Sequence, residues 1–276
     1  MAESPATLVD GAPLAALPLD DRALAYGDGL FETILCVDGR AIWWGRHLAR
    51  LRRGADVLGI AAPDDAAWAM DRDRLLATAP RRCVLKLMLS RGSGGRGYAP
   101  PERALPRRIV AAHPAPDTRA ARAGIRARWC ATPLAQHPRL AGLKHLNCLD
   151  RVLARAEWRD PAIQEGLLCN AAGAPVSATS GNLLVYRDGR WWTPPLLDCG
   201  IAGVCREVLL ESELIDERPL TRENIDTAEG VVVCNSVRGI LPVIQLDAGS
   251  WSIGEATRAL QRRLAAIEPE LMEAFE

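Results

Sequence analysis

The sequence lacks a net charge and lacks any long apolar run. Its 276 residues contain 34 Lys plus Arg and 34 Asp plus Glu, so the formal net charge is zero. A chain without an overall positive field is not drawn to nucleic acid or to an anionic membrane. No apolar stretch approaches the roughly 20 residues that span a bilayer, and the N-terminus has no basic segment of the kind that opens a signal peptide. We therefore expect a cytoplasmic protein with neither nucleic acid nor membrane as a partner.

Closely spaced cysteines are also missing. The eight cysteines are scattered, without a C-x-x-C pair and without a Cys/His cluster of the zinc type. We expect reduced, mostly buried thiols. The spacing of His47, His113 and His137 gives no metal site either, so structural or surface roles are expected for these side chains and no metal is expected.

Residues 1–112 have the pattern of a small N-terminal α+β domain. Gly29 to Val37 has strand character, and Arg46 to Leu58 places apolar residues at the three- and four-residue spacing of a helix. Arg82 to Ser90 and Arg107 to Ala112 are predicted as paired strands on either side of a glycine-rich loop.

Residues 113–118 (HPAPDT) are predicted as a linker, because two prolines in four residues interrupt helices and sheets. A simple surface loop is the alternative. Residues 119–276 would then form a larger domain that mixes strands and helices. Its predicted strands are residues 125–130, 165–170, 182–186 and 191–193, and its predicted helices are residues 148–158, 204–214 and 253–267.

Lysine is scarce, since the sequence has only two, whereas arginine is abundant. Lys144 lies between apolar Leu143 and Leu146, just before a predicted helix. An amine with a lowered pKa becomes neutral and nucleophilic, which a guanidinium cannot do. Taken alone, these residues leave two interpretations open: a chemically active lysine, or a surface lysine at the start of a helix.

Seven motifs surround this lysine in a fixed order. They are DRALAYGDGLFETI (Asp21–Ile34), HLARL (His47–Leu51), SRGSGGRGY (Ser90–Tyr98), LKHLNCLDRVL (Leu143–Leu153), SGNLLV (Ser180–Val185), GIAGVCREVLLE (Gly200–Glu211) and CNSVRGILPV (Cys234–Val243). Each motif by itself is weak. In this order they resemble the aminodeoxychorismate lyases, which are fold-type IV pyridoxal-phosphate enzymes together with branched-chain and D-amino acid aminotransferases.

The resemblance implies a two-domain α+β fold like that of D-amino acid aminotransferase, with a small N-terminal α+β domain and a larger C-terminal α/β-barrel-like domain. It also implies pyridoxal 5'-phosphate as cofactor, a homodimer, and cleavage of 4-amino-4-deoxychorismate to 4-aminobenzoate and pyruvate in folate biosynthesis. Two alternatives stay open: an aminotransferase acting on D- or branched-chain amino acids, and a non-catalytic binding protein of the same fold. The SRGSGGRGY and LKHLN motifs favour the lyase.

The resemblance assigns cofactor contacts to particular residues. Lys144 would be the Schiff-base lysine and would also move protons at the substrate. Arg50, in the H-x-x-R-L motif, would hold the cofactor phosphate, for which a guanidinium is well shaped. Main-chain N–H groups of Val204 and Cys205 would contribute at a helix N-terminus, where an anion is favoured. Ser236 is a hydroxyl candidate for the same phosphate.

The SRGSGGRGY motif is the most discriminating, because lyases often carry it here and aminotransferases usually do not. Its four glycines permit a tight loop near a ligand. Arg91 and Arg96, with Tyr98 alongside, are candidates for binding the two substrate carboxylates. A flexible basic hairpin is the alternative interpretation.

Two consecutive residues of the FET segment, Glu32 and Thr33, alternate across a strand, so only one of them should face the pocket. We expect Thr33 to act beside Lys144 in catalysis. The other candidate substrate contacts are Tyr26, Glu32 and His145.

One position departs from the family pattern. Most fold-type IV enzymes carry a glutamate five residues before the asparagine of the SGNLL-like motif, where it pairs with the pyridine nitrogen, but this chain has Ser177 there. A hydroxyl can donate a hydrogen bond to a neutral pyridine nitrogen but cannot keep it protonated. We expect a weaker electron sink, which a lyase tolerates better than an aminotransferase because its product becomes aromatic.

Overall fold

The structure is a computed structural model that describes residues 7–13 and 16–272. Contacts divide the chain into two compact units. The first unit runs to residue 115 and also includes residues 143–147, while the second comprises residues 116–142 and the chain from residue 148 onward. The segment that carries Lys144 therefore belongs to the first unit, although the chain has already entered the second.

The first unit is built on one antiparallel sheet. Its elements are β1 (Thr7–Val9), α1 (Arg22–Tyr26), β2 (Gly29–Val37), β3 (Arg40–Ala41), α2 (Trp44–Leu58), α3 (Asp65–Leu76), β4 (Arg82–Ser90) and β5 (Arg107–Pro114). The strand order is β1-β5-β4-β2-β3, and each neighbouring pair is antiparallel. The long β2 and β4 pair along their whole length, which makes them a firm base for side chains on either face.

Side chains of β2 alternate between the two faces of this sheet, as the period of a strand requires. Leu30, Ile34 and Cys36 belong to one buried cluster with Leu48, Leu51 and Ala55 of α2. Burying each large aliphatic side chain contributes roughly 1.5–3 kcal/mol. This face therefore binds α2, and it leaves the intervening residues of β2 for the other face.

The second unit contains the remaining elements. They are α4 (Arg119–Arg122), β6 (Ile125–Trp129), α5 (Leu149–Arg155), β7 (Ile163–Cys169), β8 (Pro175–Ala178), β9 (Asn182–Arg187), β10 (Arg190–Thr193), α6 (Val204–Glu211), β11 (Ile215–Glu217), α7 (Arg222–Asp226), β12 (Gly230–Asn235), β13 (Gly239–Leu246), β14 (Gly249–Ser250), α8 (Glu255–Ile267) and α9 (Pro269–Met272).

A closed barrel forms the centre of this unit. The sheet order is β11-β10-β9-β12-β13-β6-β7-β8, with β14 added to β13, and β8 also pairs with β9. Six strands therefore close on themselves: β6, β7, β8, β9, β12 and β13. Closure is made by the single pair Ser177 and Asn182. The barrel-like second unit that the family resemblance implies is confirmed.

Several elements that the sequence predicted have accurate bounds in the structure. The strands at residues 29–37 and 82–90 are confirmed as β2 and β4. The helix predicted at 46–58 begins two residues earlier and ends before Gly59, whose φ of 64° is favourable for glycine. The strand β5 extends to Pro114, so the first two residues of the predicted linker are strand. Pro114 is the last residue of β5 and lies opposite Cys83 of β4.

Three further facts concern the described part of the chain. None of its helices has the length and apolar character to cross a membrane. Within the same residues, His, Cys, Asp and Glu side chains do not gather in groups of three or more that could hold a metal ion. All eight cysteines lie in the described ranges, none forms a disulfide, and seven of them are buried.

Candidate active site

The segment that carries Lys144 is extended and lies against the beginning of β2. The Phe31 N–H donates to the Lys144 carbonyl at 2.9 Å, and the Leu146 N–H donates to the Gly29 carbonyl at 3.0 Å. Between these bonds, the half-buried His145 pairs with β2 as an isolated bridge. The sheet of the first unit therefore fixes the lysine backbone on both sides.

The Lys144 amine is placed over an aromatic ring. Its Nζ lies 4.1 Å from the centroid of the Phe31 ring, a cation–π contact. Thr33 is half-buried and lies two residues further along β2, so it shares the face of Phe31. Its partner on β4 is Lys86, whose Nζ is 5.8 Å from the same ring centroid. Both lysines of the chain are thus close to one side chain.

On the opposite face of β2, Glu32 forms a buried ion-pair cluster with two residues of α2. Its Oε1 accepts a hydrogen bond from Arg50 Nε at 2.7 Å, and its Oε2 lies 2.7 Å from His47 Nδ1. A second short bond joins Arg50 to Oε2. All three side chains are at most 6% exposed. Because both carboxylate oxygens are occupied and buried, we propose a positioning role for Glu32 in place of the predicted substrate contact.

This cluster holds its members in defined protonation states. Burial raises the pKa of the Glu32 carboxyl, but attraction to Arg50 and hydrogen bonds from Arg50 and His47 outweigh it and lower the pKa to about 2. Burial lowers the pKa of His47, against the opposing effect of Glu32. Glu32 is therefore ionised and His47 neutral at pH 7.

The His47 tautomer follows from this charge assignment. An ionised carboxylate only accepts hydrogen bonds, so His47 Nδ1 carries the proton and Nε2 carries the lone pair. Nε2 is buried and has no hydrogen-bond partner among the described residues. Lys144 is close enough to contribute to lowering the His47 pKa. A structural or surface role was predicted for His47, because a single histidine in a sequence carries no signal of its partners.

The predicted carboxylate-binding residue Arg91 has other partners in the structure. Its Nε donates to Asp28 at 2.7 Å, and its two terminal nitrogens donate to the Gly59 and Leu58 carbonyls at 2.7 and 2.6 Å. The side chain is buried. The Arg91 guanidinium therefore holds one carboxylate and the C-terminal end of α2, which favours a structural role for this side chain.

The end of the glycine-rich loop is different, because its side chains are exposed. Arg96 is exposed, and Tyr98 is 87% exposed. The Tyr98 ring lies 5.6 Å from the Tyr26 ring, and the Tyr26 hydroxyl accepts a hydrogen bond from the Gly97 N–H at 3.0 Å. Three of the predicted substrate residues, Tyr26, Arg96 and Tyr98, therefore lie at one place in the first unit.

In the second unit, Ser177 lies on β8 at the point where the barrel closes. The side chain is 1% exposed, and its Oγ has no hydrogen-bond partner among the described residues. A buried hydroxyl without a partner costs about 1–3 kcal/mol, so its retention indicates a ligand or water. Asn182 lies opposite Ser177 and also pairs with Cys234 of β12.

The N-terminus of α6 lies next to the same asparagine. Gly203 is the N-cap, has no side chain to cap the helix, and approaches Asn182 so closely that a Cβ there would lie 2.1 Å from Oδ1. The first helical residues, Val204 and Cys205, are buried. Uncapped N–H groups at a helix start attract anions. Ser236 follows β12 directly and is 9% exposed.

The buried acid Glu165 and its partners were not anticipated from the sequence. Glu165 of β7 is 1% exposed and accepts a hydrogen bond from the Thr179 hydroxyl at 2.6 Å. Ser180 and Arg238 also bind this carboxylate through short contacts. Hydrogen bonds to the Glu165 carboxylate thus connect the turn between β8 and β9 with the turn after β12. The members of this network are dispersed along the chain and no local motif joins them.

Comparison with known proteins identifies the family. Residues 29–246 match the amino-transferase class IV family. The chain belongs to this family. Its curated relatives include the aminodeoxychorismate lyase of Vibrio harveyi, which is 33% identical over 270 residues that cover 93% of this chain and 98% of the relative.

Solved structures agree with the class-IV assignment. The 4-amino-4-deoxychorismate lyase of Pseudomonas aeruginosa is 43% identical, with a TM-score of 0.85 and coverage of 94% of this chain and 98% of the other. The branched-chain amino acid aminotransferase of Escherichia coli has a TM-score of 0.82 at 23% identity, covering 98% and 97% of the two chains, and therefore shares the fold.

Proposed function

We propose that this class-IV protein is a pyridoxal-phosphate-dependent lyase that converts 4-amino-4-deoxychorismate to 4-aminobenzoate and pyruvate. The observation that carries the proposal is similarity over nearly the full length, at 43% and 33% identity, to two proteins described as lyases of this substrate. Lys144 supports it, because its backbone is fixed and its amine lies against the Phe31 ring.

Several residues of the second unit suit parts of the cofactor. In the second unit, the unpartnered Ser177 hydroxyl suits a pyridine nitrogen. The uncapped start of α6, with Ser236 as a hydroxyl candidate, suits a phosphate. In the first unit, Glu32 already orients the Arg50 guanidinium, which remains the predicted contact to the cofactor phosphate. When bound, pyridoxal phosphate supplies an aldehyde that an amine can attack and a ring that stabilises negative charge on the substrate carbon.

The proposed reaction places two proton steps on the protein. With the cofactor bound, the Lys144 amine would take the proton from the ring carbon that bears the substrate amine. The bond between the ring and the enolpyruvyl oxygen would then break, the ring would become aromatic, and Lys144 would return its proton to the methylene carbon of the departing enolpyruvate, which gives pyruvate. Thr33, on the same strand face as Phe31, is the proposed hydroxyl beside Lys144.

Release of 4-aminobenzoate tests the proposal directly. We expect the purified protein to form 4-aminobenzoate and pyruvate in equal amounts from 4-amino-4-deoxychorismate, with a rate that rises when pyridoxal phosphate is added to protein stripped of it. The two products are measured by chromatography and by a coupled dehydrogenase assay. Absence of 4-aminobenzoate would contradict the lyase assignment.

An aminotransferase is the second candidate. A putative branched-chain-amino-acid aminotransferase of Methanocaldococcus jannaschii is 28% identical to this chain, with 92% of the chain and 91% of the relative covered. Rapid exchange of amino groups between an amino acid and a keto acid, without 4-aminobenzoate formation, would favour this candidate. The absence of an acid at Ser177 argues against it.

Substitution of Ser177 tests the role of that position. We expect Ser177→Glu to keep a bound cofactor's ring nitrogen protonated and thus to raise amino-group exchange about tenfold while shifting the visible spectrum of the cofactor. The size-matched control is Ser177→Gln, which adds the same bulk without the charge and should not raise exchange. Equal exchange rates and spectra for Ser177→Glu and wild type would refute this role.

The homodimer, the cytoplasmic location and the place in folate biosynthesis belong to the same proposal. A stripe of exposed apolar side chains on α5 supports the homodimer: Leu149, Val152 and Leu153 are 75%, 59% and 61% exposed. Apolar side chains at this helical spacing are typical of a surface covered in an assembly. Eight thiols without a disulfide support a reducing compartment.

A further inference from the structure

Arg22 of α1 binds the end of the glycine-rich loop. Its terminal nitrogens donate to the carbonyls of Gly97, Tyr98 and Ala99 at 3.1, 3.0 and 3.4 Å. The side chain is 3% exposed, and its guanidinium carbon lies 4.7 Å from the centroid of the Tyr26 ring. A buried arginine that contacts three successive carbonyls fixes the course of the backbone there.

Asp28 connects Arg22 with the beginning of the same loop. Its Oδ2 accepts hydrogen bonds from Arg22 Nε at 2.8 Å and from Arg91 Nε at 2.7 Å. The Arg91 N–H also donates to the Asp28 carbonyl at 3.1 Å. The Asp28 carboxylate therefore bridges Arg91, at the start of the loop, and Arg22, which binds the end of the loop.

The loop backbone packs directly against this arginine pair. The Arg22 N–H donates to the Gly92 carbonyl at 3.0 Å. A Cβ on Gly92 would lie 1.9 Å from the Leu105 carbonyl oxygen, and a Cβ on Gly94 would lie 2.9 Å from Arg22 Cδ. A side chain at Gly92 would therefore collide with the backbone, and one at Gly94 would crowd Arg22, so this part of the loop packs closely against its neighbours.

The residues next to Asp28 also hold the Lys144 segment. Asn147 Nδ2 donates to the Gly27 carbonyl at 3.0 Å, and Leu146 is bonded to Gly29. Within residues 27–31, Asp28 thus contacts Arg91 at the start of the loop, and its neighbours contact the Lys144 segment. Movement of the loop end relative to the lysine segment would break either the carbonyl contacts of Arg22 or the contacts that Arg22 and Arg91 make with Asp28.

We propose that Arg22 and Asp28 are positioning residues that set the loop of residues 92–99 for recognition of the anionic substrate. Their contacts hold the exposed Arg96 and Tyr98 at a fixed place relative to Lys144. This inference rests on the proposed function, because it takes the doubly carboxylated substrate of that reaction as the ligand.

Two substitutions of Arg22 separate its contacts. Arg22→Met removes the ion pair and all carbonyl contacts. Arg22→Lys keeps a charge for Asp28 but lacks the planar fork that contacts three carbonyls. The control is Arg122→Met, because the guanidinium of the half-buried Arg122 likewise binds two backbone carbonyls, those of Leu271 and Met272, in the second unit.

The first measurement is tryptic cleavage of the native holoenzyme at the bond between Arg96 and Gly97, followed by mass spectrometry. Cleavage in a native protein reports local opening of the backbone. We expect both Arg22 variants to be cut there about tenfold faster than wild type, and Arg122→Met to be cut at the wild-type rate. Equal cleavage of the Arg22 variants and wild type would overturn the proposal.

The second measurement is steady-state 4-aminobenzoate release. We expect KM to rise about tenfold in both Arg22 variants while kcat and cofactor affinity change less than about threefold. A fall in kcat at unchanged KM would overturn the substrate role. If wild-type protein releases no 4-aminobenzoate, the proposed function fails, and the cleavage rates still decide whether Arg22 positions the loop.

Discussion

Replacement of Lys144 by alanine is expected to lower 4-aminobenzoate formation at least about a thousandfold. The amine is proposed both to attack the cofactor aldehyde and to take the substrate proton, and alanine does neither. The structure gives no second amine on the extended segment that β2 holds. Stopped assays of 4-aminobenzoate at saturating cofactor measure the loss.

Lys86 provides a matched control, since it is the other lysine of the chain and its Nζ is also near the Phe31 ring, at 5.8 Å. We expect Lys86→Ala to keep most of the activity. Borohydride reduction of the loaded protein, followed by peptide mass spectrometry, should place the cofactor on Lys144. Modification of Lys86, with Lys144 unmodified, would exclude Lys144 as the cofactor lysine.

Replacement of Glu32 by glutamine is expected to lower the free energy of unfolding by about 3–5 kcal/mol, the usual effect of removing one partner from a buried ion pair. Glutamine preserves the shape but leaves the buried Arg50 guanidinium without its carboxylate. It also offers His47 Nδ1 a weaker acceptor. Urea unfolding monitored by tryptophan fluorescence gives the change.

The control is Glu255→Gln, at an ion pair with Arg262 in which the side chains are 79% and 64% exposed. Screened pairs of this kind contribute little, so stability should stay close to wild type. A Glu32→Gln protein as stable as Glu255→Gln would contradict the role of the buried cluster.

Acid sensitivity gives an independent check on Glu32. Its folded pKa of about 2 lies below the ordinary value of 4.5. A depressed carboxyl pKa stabilises the fold above about pH 4.5, and this stabilisation is lost as the pH falls toward 2. The wild-type protein should therefore lose more stability over that range than Glu32→Gln.

Several candidate residues of the site could be predicted because they lie in short sequence motifs. Lys144 and Ser177 were both singled out from their neighbours in sequence, and the structure gives Ser177 a buried, unpartnered hydroxyl. The alternation of Glu32 and Thr33 was predictable from the period of a strand. Which of them faces α2 was not, because that depends on where the helix packs.

Partners distant in sequence were the ones that sequence reasoning missed. Arg91 was predicted as a substrate ligand, whereas the structure pairs it with Asp28, 63 residues away. Arg22 reaches carbonyls 75 to 77 residues away. An arginine in a sequence looks the same whether its guanidinium binds a substrate or backbone carbonyls. Only its surroundings in the folded chain distinguish the two roles.

The sequence by itself determined the family, the two long strands β2 and β4, and Lys144 as the candidate cofactor lysine, because strand period and ordered motifs are local properties of a chain. Only the tertiary structure decided that Lys144 returns to the first unit, that Ser177 lies at barrel closure, and that Glu32 holds Arg50. These arrangements depend on contacts between distant residues, whose free energies are gained only when the chain is folded.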